Sequence, residues 1–115
     1  AITAWIPLGL ADKLRGQLVY LDKSHKFKFI DKSNYPKKDK VIAKNLSKLA
    51  MDKGSKWLIP DIYPGDVIFH GLNIVHASFE SKTLLPRLSC DLRFASAKDY
   101  LDPRWNEYWY GEDGL

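Results

Sequence analysis

The stretch from 64 to 94, PGDVIFHGLNIVHASFESKTLLPRLSCDLRF, limits what this chain can become more than any other. It opens on a turn, Tyr63-Pro64-Gly65-Asp66, in which proline presets the first corner and glycine takes the positive φ of the second. Three runs rich in β-forming residues follow, at 67–70, 72–79 and 87–94, separated by Gly71 and by a polar loop. Successive side chains of a strand point to opposite faces. His76 and Ser78 therefore share a face, and so do Arg87 and Ser89, with Leu88, Cys90, Leu92 and Phe94 opposite them. One imidazole, one guanidinium and two hydroxyls are thereby placed on the polar faces of short strands. A neutral imidazole is a good ligand for divalent iron, zinc or copper. An arginine fork flanked by hydroxyls suits a carboxylate.

The rest of the chain fits a mainly β domain. Residues 2–8 read as a strand ended by Pro7, which cannot donate to a ladder, and residues 17–21 as a second strand. Phe27 and Phe29 alternate with lysines, as a short extra strand would. Over 40–53 the period changes: Ile42, Leu46, Leu49 and Ala50 form one helical stripe, lysines occupy the other face, and Gly54 supplies a C-cap. One amphipathic helix is expected there. Residues 57–60 form a short apolar run. Asp102-Pro103 looks like a helix N-cap with proline in the first position, and Trp105 and Trp109 follow at helical spacing.

The 115 residues suffice for one small domain with a core. A single cysteine, Cys90, excludes an intrachain disulfide and fits a cytoplasmic or other reducing intracellular compartment. It lies on the apolar face of its strand and reads as a small buried hydrophobe. No run reaches the roughly 18–20 apolar residues of a membrane helix. Net charge is +4, but residues 23–56 hold eleven of the eighteen basic residues against three acids, a net of +8. This segment reads as a solvated, lysine-rich insertion. All of its basic residues are lysine, which argues against sequence-specific nucleic-acid binding, where arginine is favoured.

His76-Ala77-Ser78, the eleven-residue spacing to Arg87, and Arg87-Leu88-Ser89 together resemble the distal half of the phytanoyl-CoA dioxygenase family. The likeness continues upstream in Thr3-Ala4-Trp5-Ile6-Pro7-Leu8, in Gly16-Gln17-Leu18-Val19-Tyr20-Leu21 and in Ser24-His25-Lys26. The family has Pro-Gly where this chain has Asp22-Lys23. The likeness covers most of the chain except 27–60. It implies a non-haem Fe(II)- and 2-oxoglutarate-dependent oxygenase on a double-stranded β-helix, a jelly-roll or cupin-like barrel, of which this chain would be the C-terminal part. The resemblance makes His76 the second histidine of the iron site. It makes Arg87 the partner of the distal carboxylate of 2-oxoglutarate, with Ser78 and Ser89 adding hydroxyl hydrogen bonds and Trp5 touching the cosubstrate pocket.

The family's first two ligands form a His-x-Asp motif. His25, His70 and His76 are followed two residues on by Phe27, Leu72 and Ser78, so the motif is absent from these residues. It is expected upstream of Ala1, the chain being read as a fragment or processed product that begins without methionine. A fragment of this kind exposes a sheet edge, through which self-association is expected. His25 and His70 are expected to be structural. The expected substrate is a small molecule, with an anion suiting the lysines. The competing readings are a non-catalytic barrel that binds a small carboxylate through Arg87, and a basic nucleic-acid-binding module built on 23–56.

Overall fold

The alternation of Ile2–Pro7 produces the strand on which the first sheet is built. In the computed structural model, which describes residues 1–27 and 42–98, this strand, β1, pairs antiparallel on both sides. Its partners are β4 (Ile68–Gly71) and β6 (Ser89–Phe94). Pro7 ends β1 opposite Ser89, as a residue without an N–H must, and Leu8 N–H then donates to Leu88 O at 2.9 Å. The second sheet is centred on β2 (Leu18–Leu21), flanked antiparallel by β3 (Trp57–Leu58) and β5 (His76–Ser78). The architecture is mainly β: two three-stranded antiparallel sheets and one helix, with no closed barrel among the described residues. The chain visits the sheets in the order first, second, second, first, second, first.

The two sheets meet through Trp5 of β1 and Leu18 and Tyr20 of β2, joined by Ala11 and Ile62, with Ile68 and Ile74 at the margin. A second cluster, Leu21, Ala50 and Val75 with Phe27, Leu49 and Trp57, covers the other face of the second sheet. It is closed by helix α1 (Leu46–Asp52), to which Trp57 is tied by its Nε1–H donating to Leu46 O at 2.9 Å.

The helix is shorter than its apolar stripe predicts. Asn45 caps it by accepting Lys48 N–H at 2.8 Å, which satisfies a first-turn donor and leaves Ile42 outside, half exposed. At the other end Gly54 has φ +57, with Gly54 N–H on Met51 O and Ser55 N–H on Ala50 O. That is the double bond pattern of a Schellman terminus, as the glycine leads one to expect.

The strand over 72–79 is also shorter than its composition suggests. Ile74 N–H reaches back to Gly71 O, so 72–75 turn the chain from one sheet to the other before β5 begins. Likewise β6 begins at Ser89, two residues after Arg87. The turn before β4 forms as expected, with Gly65 at φ +100 and Asp66 N–H on Tyr63 O at 3.0 Å. Ser24–Lys26 is a single 3-10 turn entered through Lys23 at φ +55, a conformation that costs a residue with a Cβ. The extra strand at Phe29, part of the lysine-rich insertion and the aromatic segment 100–115 lie outside the described residues.

Candidate functional site

The register of the sheets decides which side chains face each other across the interior. On β1, Trp5 lies between Ile68 and Asp91, Thr3 between His70 and Arg93, and Pro7 beside Ser89. Paired residues of a sheet share a face, so this face combines Trp5 with a row of polar groups. Opposite it, β2 presents Leu18 beside Ser78 and Tyr20 beside His76. The space between the sheets is thus apolar at its centre and polar at its rims.

Arg87 occupies one rim. Its guanidinium carbon sits 5.2 Å from the centroid of the Trp5 ring, in cation–π range. Trp5 is itself 3% exposed and fixed by the core. Gly16 is also near Arg87, at φ +77, where an added Cβ would come within 3.2 Å of Phe79 O and 3.8 Å of Arg87 Nε. Glycine there takes the positive φ and lets the backbone approach Phe79 O closely, beside the guanidinium. Arg87 is half-buried, and its Nη1 is fully buried with no hydrogen-bond partner among the described residues. A buried charged donor without an acceptor is costly, and an anion relieves the cost.

His76 occupies the other rim and is exposed. Its Nδ1 lies 3.3 Å from Ile74 O, the backbone partner that commonly orients a metal-ligating imidazole. His70, reaching over from β4, stacks on it with ring centroids 5.1 Å apart and an interplanar angle of 29°. Tyr20 joins the pair, its hydroxyl 3.1 Å from His70 Nδ1 and its ring 6.0 Å from that of His76. Burial, with the negative charge of Asp91 added, pushes the Tyr20 phenol up to about 12, so it keeps its proton at neutral pH. Burial also lowers the His70 pKa below its ordinary value, reinforced by His76 and Arg93 and opposed by Asp91.

The two rims are linked through the core rather than by contact. His76 neighbours Tyr20, Tyr20 shares a core cluster with Trp5, and Trp5 carries Arg87. Ser78 follows His76 on the same face and is exposed, whereas Ser89 is half-buried. An open cleft of about 580 Å3 lies beside His70 and includes Tyr20, His25, Leu72 and Ile74, but neither His76 nor Arg87 lines it.

Sequence reasoning missed His70 and Tyr20. Alternation puts His70 on the same face as Ile68, but nothing local tells which residue of another sheet it meets. Among the described residues no three His, Cys, Asp or Glu side chains form a metal-binding group. No described helix is long and apolar enough to cross a membrane. Comparison with protein-family profiles, curated proteins and solved structures finds no match.

Proposed function

We propose that this chain is part of an Fe(II)- and 2-oxoglutarate-dependent oxygenase, a hydroxylase resembling phytanoyl-CoA dioxygenase, and that its two sheets belong to a double-stranded β-helix. The observation that carries the reading is Nη1 of Arg87, buried beside Trp5 and without a hydrogen-bond partner among the described residues. A planar fork with a buried unpaired donor suits one end of a dicarboxylate. The alternation of the chain between two facing sheets is the pattern such a fold requires. Lys23 adds support: it takes a left-handed conformation at the position where the family motif has glycine.

His76 is suited to hold iron. Its Nδ1 sits on a backbone carbonyl, and no described group hydrogen-bonds its Nε2. The other ligands of a two-histidine, one-carboxylate site would come from residues other than those described. Iron bound there supplies oxidation of a substrate C–H bond by dioxygen, coupled to decarboxylation of 2-oxoglutarate to succinate. The residues of this chain orient the cosubstrate: Arg87 takes its distal carboxylate, Ser89 and Ser78 offer hydroxyls, and Trp5 forms an apolar wall that limits water. The substrate is a small molecule, and the lysines suit an anionic one.

Calorimetric titration of 2-oxoglutarate into the protein and into Arg87→Ala tests the reading. The variant should lose about 2–5 kcal/mol of binding, the cost of removing one partner of a buried charge pair. Arg87→Lys should restore only part, because a point charge does not reproduce the fork. Equal affinity in the alanine variant overturns the assignment. Carboxylate binding without iron-dependent turnover in the complete polypeptide would identify a non-catalytic barrel instead.

A further inference from the structure

His76 is exposed, and its hydrogen bond to Ile74 O is long at 3.3 Å. An exposed ring held by one weak bond samples several rotamers and both tautomers. A metal ligand, by contrast, must be held within about 0.5 Å of its productive position. Besides Tyr20 on its own sheet, with its ring 6.0 Å away, a closer contact that restrains the ring comes from the other sheet. His70 stacks on it at 5.1 Å and 29°. His70 in turn is anchored by the hydroxyl of Tyr20, a residue 9% exposed and packed in the core between the sheets.

We propose that His70 is a positioning residue for His76: anchored on Tyr20, it holds the imidazole across the gap between the sheets with Nδ1 on Ile74 O and Nε2 left for a ligand. This rests on the reading of His76 as an iron ligand. His70 itself stays off the metal, because its role is to present a flat face to the neighbouring ring. The chain of fixation runs from the packed core through Tyr20 and His70 to an exposed side chain.

Nitrogen-15 NMR of the histidine rings in the full 115-residue chain, without metal, reads the tautomer of His76 directly. The protein should show an excess of the Nδ1–H form of neutral His76. In His70→Ala that excess should be lost, giving the mixture of a free imidazole, while His70→Phe should restore it by replacing one flat ring with another. Tyr20→Phe, which keeps both imidazoles and removes the anchor, should give a partial loss and serves if His70→Ala does not fold. Complete protein carrying His70→Ala should bind divalent metal about 10-fold more weakly. The proposal is overturned if His76 in the unaltered chain shows no Nδ1–H excess, or if the excess survives in His70→Ala and in Tyr20→Phe. Loss of 2-oxoglutarate binding at Arg87 leaves the ring signals unchanged, so failure of the functional reading and failure of this inference are distinguishable.

Discussion

Among the described residues, the second sheet is covered on both faces and the first on only one. Every residue of β2 is buried, between Trp5 on one side and the helix-capped cluster on the other. On the first sheet the outward residues of β4 and β6 remain open: Phe69 is 67% exposed and Phe94 57%, with Leu92 also exposed. The two sheets have the same strand count and the same antiparallel pairing, so the difference lies in what packs on them. A seven-residue helix is enough to turn Leu21, Val75 and Ala50 into core, whereas similar apolar residues on β6 contribute little while water reaches them.

That contrast can be broken most forcefully at Leu21. It is fully buried, and Leu21→Ala should cost about 2–5 kcal/mol in chemical denaturation, through lost burial and the cavity left behind. Leu92→Ala on the open face should cost within about 1 kcal/mol, and equal losses at the two sites would show that the first sheet is covered in solution.

A smaller effect is expected at Ser24, whose Oγ accepts Val75 N–H at 2.8 Å and which is fully buried. Ser24→Ala should cost about 1–3 kcal/mol by leaving a buried donor unpaired. An unaffected denaturation midpoint would mean that water or another group takes over the bond.

Between the sheets, Tyr20 provides a pH dependence. Its pKa rises from 10.0 to about 12 on folding, so its stabilisation is complete below pH 10 and is lost as pH climbs through the folded value. The difference in denaturation midpoint between the protein and Tyr20→Phe should therefore shrink as pH rises from ~10 to ~12. A constant difference would place the phenol in water. The mildest expected change is Phe69→Ser on the open face, within about 0.5 kcal/mol by the same measurement.

Much of the local structure is legible in the residues. The turn at 63–66 follows from Pro64-Gly65, β1 ends where Pro7 removes a donor, and the helix terminus follows from Gly54. The helix start was less legible, because the apolar stripe runs through Ile42 while the capping bond belongs to Asn45. The length of the strand over 72–79 was not legible at all. Its composition is strand-like throughout, but 72–75 must carry the chain between sheets.

By itself the sequence determined the period of each segment and therefore which residues share a face: His76 with Ser78, and Arg87 on the side opposite Leu88. These are local consequences of backbone geometry, set by residues one or two positions apart. Only the tertiary structure decided what each face meets. That Arg87 lies over Trp5, that its Nη1 is buried without a partner among the described residues, and that His70 crosses from one sheet to stack on His76 of the other all depend on residues far apart in the chain. The physical reason is that such pairings depend on sheet register and on the packing of one sheet against another, which no local periodicity encodes.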